Sequence, residues 1–238
     1  MEDIIKKELK DGRTYSIRKD RRRYFFPDEW NKFISVVKNQ KHKFLFLTLL
    51  NTGARIMESL HIKPEDFDFE RGTIKINVIK HVVKHRKKKG DTEKFVGKGQ
   101  SRNFFVASNY LKFARAYIIK NKIDQDKYIF LDNNKLPENY SDLNNIQKKK
   151  YYQSKAISYS SVLKKRLQIA GIEDWRNFSL HNLRKTYGNW MRIFDIKSDE
   201  LCYRLGHDFK TFMSHYGSSL IFDSPERQKI MKIFGDVK

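Results

Sequence analysis

The chain has 238 residues, 39% of them apolar, with 50 Lys and Arg against 28 Asp and Glu, a formal net charge of +22. That length buries a substantial core in one large domain, and no run of eighteen apolar residues marks a membrane span. The N-terminus lacks the apolar stretch of a signal peptide, and the lone Cys202 excludes an intrachain disulfide or a Cys-rich zinc site; the expectation is an intracellular, nucleoid-associated protein.

So large a cationic excess points to a polyanionic partner, because releasing counterions from phosphates drives association. RNA or an anionic membrane would satisfy the same charge. A codon bias toward Lys, Asn and Tyr explains some lysines but not the clustered arginines. Nucleic acid is the better fit.

Residues 1–24 read as a basic arm, partly helical, with Arg21, Arg22 and Arg23 as candidate DNA contacts. Order is expected from Phe25-Phe26-Pro27, with residues 25–238 forming one domain. Pro27 suits the first position of a helix, Asp28 and Glu29 complement its dipole, and Trp30, Phe33, Ile34 and Val37 form one apolar stripe. KHKFLFLTLLN (41–51) is apolar on nearly all sides, which predicts a central helix broken at Gly53. A short helix carrying Arg55 follows and ends before Pro64.

Arg71-Gly72 is a turn signal before alternating strand residues, and a second strand is expected over 102–107. Between them lies a long, very basic β-hairpin, with Lys84, Arg86, Lys87, Lys88, Lys89 and Arg102 as further candidate DNA contacts. A helix is predicted near 109–121. Residues 132–156 carry Asn, Ser, Pro and Lys with no period and read as a surface excursion, whose KKKYY is more simply a solvated loop than a DNA contact. Helical sequence over 158–170 stops at Gly171. Ser179 is a candidate cap for the helix bearing His181 and Arg184, and Ser198 for the helix ending at Gly206. Ser224-Pro225-Glu226 opens a last helix with Ile230, Ile233 and Phe234 on one side.

The chemistry lies in the order Arg55, Lys98, His181, Arg184, His207, Tyr216. Two guanidinium forks can grip the non-bridging oxygens of a phosphodiester and stabilise a five-coordinate phosphorus. A tyrosine phenol, of pKa near 10, needs a base or strong positive charge to attack; His181 can take its proton, and His207 can bond a phosphate oxygen or share that task. Lys98 can protonate the leaving 5′ oxygen, with Lys80, Lys84, Lys87, Lys88, Lys89 and Lys94 as competitors. Each residue alone has an ordinary structural reading. All six in one order do not.

These residues resemble the catalytic domain of tyrosine recombinases, the family of phage-type integrases and Xer-type resolving enzymes. TGARIMESLHIKPEDFDFERGTIKI (52–76) resembles the first box, with Arg55 at its arginine and Glu58 at its acid. GKGQSRNFFV (97–106) resembles the hairpin box, with Lys98 at the catalytic lysine and Arg102 leading into the next strand. HNLRKTYGNW matches the H-x-x-R box, and LGHDFKTFMSHY the closing box, with His207 nine positions before Tyr216. The resemblance implies an α+β, mostly helical fold with a small antiparallel sheet and a basic hairpin. It implies a site-specific recombinase or integrase of a mobile element or virus that forms a 3′-phosphotyrosine without a cofactor or metal. It also implies double-stranded DNA as partner and a homotetramer in which the C-terminal helix docks on a neighbour, although packing on its own domain accounts for that helix equally well. Two departures stand out: only about 25 residues precede the catalytic region, where the family usually has a DNA-clamping domain, and the hairpin is unusually rich in lysine. A type IB topoisomerase and a non-catalytic DNA-binding relic are the alternative readings.

Overall fold

The computed structural model describes residues 4–8, 14–18, 24–77, 101–210, 212 and 222–235. Strands β1 (Ile4–Glu8) and β2 (Thr14–Arg18) pair antiparallel, with Ile5 opposite Ile17. This replaces the helical content expected of the N-terminal arm. Arg21, Arg22 and Arg23 lie outside the described residues. Tyr24, expected in the arm, is buried, its ring 5.5 Å from Phe26 and 6.0 Å from Phe222.

Helix α1 (Pro27–Ser35) starts at a proline with Asp28 and Glu29 in its first turn, and Trp30 and Phe33 face inward. Helix α2 (Gln40–Thr52) is the central one. From Phe44 onward only Leu47 is not buried, and the helix packs along α6 (Leu180–Met191). The short α3 (Ile56–Leu60) follows. Then β3 (Phe67–Asp68), β4 (Thr73–Asn77) and β5 (Ser101–Phe105) form a three-stranded antiparallel sheet, with Ile74 opposite Phe104 and Ile76 opposite Arg102. Its alternating burial puts Ile74, Ile76, Arg102 and Phe104 on the inner face. Residues 78–100, which carry the expected hairpin tip, lie outside the described residues.

Helix α4 (Ser108–Lys120) packs against α2. Helix α5 (Asn145–Ile169) begins thirteen residues earlier than the sequence pattern suggests. The stretch read as an excursion is therefore half helix. Tyr140 and Tyr152 are buried there, clustered with Tyr128 around His61. Its tyrosines, not a regular apolar stripe, fasten the helix to the domain. Helix α5 ends before Gly171, which takes the left-handed φ of 69°.

After α6 comes α7 (Ser198–Leu205), whose N-cap is Lys197, without a side-chain capping bond; Ser198, the expected cap, is instead the first helical residue. Helix α8 (Ser224–Phe234) is capped by Asp223, which accepts the Glu226 N–H at 2.8 Å. It packs on α1 and α4 of its own chain, with Phe234 against Trp190 and Phe194. Among the described residues no helix is long and apolar enough to cross a membrane.

Candidate active site

Three segments far apart in the sequence meet at the C-terminal ends of α2 and α7. The first is the turn between α2 and α3. Gly53 ends α2 with φ of 58° and donates its N–H to Leu49 O at 3.0 Å. Nothing larger fits, since a Cβ there would lie 2.4 Å from Tyr187 Cδ1. Arg55 is then the N-cap of α3. Its backbone N–H donates to Glu58 Oε2 at 2.8 Å and its Nη1 to Glu58 Oε1 at 3.1 Å. The Glu58 side chain is fully buried, whereas that of Arg55 keeps 38% of its surface exposed. The carboxylate thus holds the arginine at its root and leaves it facing outward.

The second segment is the start of α6. Ser179 is its N-cap, as expected, and Asn182 Oδ1 accepts from both the Ser179 N–H and its hydroxyl at 2.8 Å. His181 is half-buried on the first turn. Arg184, three residues on and only 1% exposed, donates from Nη1 to Gly53 O at 2.6 Å and from Nη2 to Leu205 O. Both acceptors close a helix. Carbonyls there have no intrahelical donor and carry the negative end of the helix dipole, which a guanidinium satisfies in charge and geometry.

The third segment is the end of α7. Gly206 has φ of 58°, and the His207 N–H returns to Cys202 O at 3.0 Å. His207 is half-buried, two residues beyond the carbonyl that Arg184 holds. Arg204 is buried. Its Nε donates to Glu200 Oε1 at 2.9 Å and its Nη1 to the Tyr187 hydroxyl at 3.3 Å. Burial lowers the proton affinity of Arg204, but Tyr187 and Glu200 outweigh that and raise it.

Arg102, expected among the DNA contacts, is instead 4% exposed and bonded inside the protein. Its Nη2 donates to Glu58 Oε2 at 3.0 Å and its Nη1 to Arg204 O at 2.7 Å. Burial lowers its pKa, opposed by Glu58 and reinforced by Arg55. Its outward-looking place in a basic stretch gave no sign of this, because strand alternation alone decides which way it points.

Of the six candidate catalytic residues, the structure brings together the segments that carry Arg55, His181, Arg184 and His207. Lys98 and Tyr216 lie outside the described residues, as do Lys84, Arg86, Lys87, Lys88 and Lys89. Glu58 appeared in the sequence only through the family resemblance. Gly53 and Gly206 were legible as helix ends but not as the close contacts they make. Arg204 gave no signal: Glu200 four residues before it reads as an ordinary surface pair.

The Phage integrase family matches residues 23–220 of this chain. Among solved structures, the XerA recombinase aligns with a TM-score of 0.56 and 17% identity, over 90% of this chain and 65% of that one. The Tn1549 transposon integrase, solved in complex with transposon right end DNA, aligns with a TM-score of 0.55 and 17% identity, over 90% and 66%. The XerH site-specific recombinase, bound to its difH substrate, aligns with a TM-score of 0.53 and 16% identity, over 95% and 59%. At such identities the likeness is one of fold, and this chain spans 59% to 66% of the length of these three. No curated protein sequence matches it. The family match takes in all four sequence boxes, and the chain belongs to the phage integrase family.

Proposed function

We propose that the chain is a site-specific DNA recombinase that integrates or excises a mobile element or virus through a 3′-phosphotyrosine at Tyr216. The observation that carries this reading is the Arg184 guanidinium, which ties the turn before Arg55 to the loop before His207. Separate motifs, each unremarkable alone, are held in one place by one of their own members. Residues 25–238, together with the buried Tyr24, are the catalytic domain, and the residues before Tyr24 are an arm that follows DNA.

In this reading Arg55 and Arg184 bind the non-bridging oxygens of the scissile phosphate and stabilise the charge that grows there. The Tyr216 hydroxyl oxygen attacks phosphorus and passes its proton to His181, while His207 bonds a phosphate oxygen. The bond from phosphorus to the 5′ oxygen breaks, and Lys98 protonates that oxygen. The phosphodiester energy is kept in the new phosphorus–tyrosine bond, so a second 5′ hydroxyl reseals the strand without ATP. Duplex DNA is the expected partner, in keeping with the transposon right end DNA bound by the Tn1549 integrase. Arg21, Arg22, Arg23 and the hairpin cations Lys84, Arg86, Lys87, Lys88 and Lys89 are expected on its backbone. A homotetramer acting inside the cell completes the proposal.

A supercoiled plasmid carrying two copies of the cleaved sequence tests it, with a chelator present and no ATP. Resolved or inverted circles are expected. Relaxed circles alone would favour a type IB topoisomerase, and untouched plasmid with every sequence tried would overturn both.

A further inference from the structure

Both anchors of Arg102 lead to side chains of the candidate active site. Through Nη2 it holds Glu58 Oε2, the oxygen that also takes the Arg55 backbone N–H. The other oxygen of that carboxylate receives the Arg55 guanidinium. Through Nη1 it holds Arg204 O in the last turn of α7, three residues before His207. The packing around it is tight, because a Cβ on Gly206 would lie 2.6 Å from Nη1.

The pair is expensive as a device for stability alone. Two cations share one buried carboxylate, and Arg102 Nε is buried without a hydrogen-bond partner among the described residues. Apolar side chains of similar volume usually hold a fold as well as a buried ion pair does. What an apolar residue cannot do is fix the direction of a carboxylate and of a carbonyl at once.

We infer that Arg102 is a positioning residue. It aims Arg55 through Glu58 and sets the His207 loop through the last turn of α7, and so governs the rate of strand cleavage and not the hold on DNA. This rests on the recombinase reading above.

The test uses the full chain and a pool of randomised duplexes, each with one nick, from which cleaved members are recovered by their covalent attachment to the wild-type protein. On a recovered duplex, Arg102→Met and Arg102→Lys are compared with wild type for DNA affinity and for attachment rate at saturating protein. Misaiming a catalytic group by about 1 Å costs roughly 100-fold in rate. Arg102→Met should therefore lose about that much, with affinity nearly unchanged, and Arg102→Lys should recover part of the loss. A second duplex replaces one non-bridging oxygen of the scissile phosphate by methyl, which removes the charge that Arg55 serves. On it the deficit of Arg102→Met should shrink, whereas a general structural defect would persist in full.

A Met variant that attaches as fast as wild type would overturn the inference. So would a loss lying wholly in affinity, a deficit equal on both duplexes, or loss of cooperative unfolding in both variants. If wild type attaches to no member of the pool, the recombinase reading itself falls and takes this inference with it.

Discussion

Arg184 holds backbone carbonyls at the ends of two helices, so its position is set by main chain and not by other mobile side chains. The same economy places Arg55, whose partner Glu58 is buried and shared with Arg102. Replacing Glu58 by Ala would leave Arg102 buried without its counter-charge. Breaking a buried pair in that way costs roughly 3–5 kcal/mol, which denaturant unfolding would read as a lower midpoint; an unchanged midpoint would mean that Arg102 finds water. Gly53→Ala meets both a left-handed φ and the Tyr187 ring, and should destabilise by roughly 1–3 kcal/mol in the same assay. Residue types and their order marked Arg55, His181, Arg184 and His207 as candidates in the sequence, because few other chemistries use that set, and the fold brings their segments together. The buried partners were not legible. Arg102 and Arg204 are ordinary basic residues until the sheet and α7 turn them inward.

At the scale of elements, capped helices with a broad apolar face, such as α1 and α2, followed the sequence closely. The N-terminal half of α5 did not, since it has no stripe and is fastened by tyrosines around His61. There Met57 O can only accept, so His61 Nδ1 carries the proton at 2.7 Å and Nε2 accepts from the Tyr140 hydroxyl at 2.8 Å. Burial is the main cause that pulls the His61 pKa from 6.5 to about 4, helped by Lys148 and opposed by its bond to Met57. A folded-state pKa below the unfolded value stabilises the protein above pH 6.5, and this contribution fades as pH falls toward 4. About 3 kcal/mol should be lost across that window. Unfolding experiments on wild type and His61→Gln should show the variant less sensitive between pH 6.5 and 4.5; parallel curves would mean that His61 is charged in the fold. Helix α8 buries Phe234 completely enough that Phe234→Ala should cost roughly 3–5 kcal/mol, measured by denaturant unfolding. A negligible cost would mean that α8 is not held by its own domain in solution.

For the molecule as a whole, the charge of +22 has its consequence in the proposed hold on DNA. Affinity should fall linearly with salt on logarithmic axes, with a slope set by the number of phosphates neutralised; a flat response would remove the backbone grip from the account. The family and its helical architecture were visible in the motif order, whereas the N-terminal strand pair was not, because short basic segments of mixed character carry no decisive period. The central claim is that Tyr216 is the nucleophile, and covalent attachment tests it most directly. Wild type and Tyr216→Phe are mixed with nicked duplexes and run on a denaturing gel. An adduct on the 3′ side with wild type, absent with the variant although DNA is still bound, is the predicted result. An adduct that survives Tyr216→Phe would contradict the account and point to another tyrosine, with Tyr203, exposed on α7 four residues before His207, the first to replace.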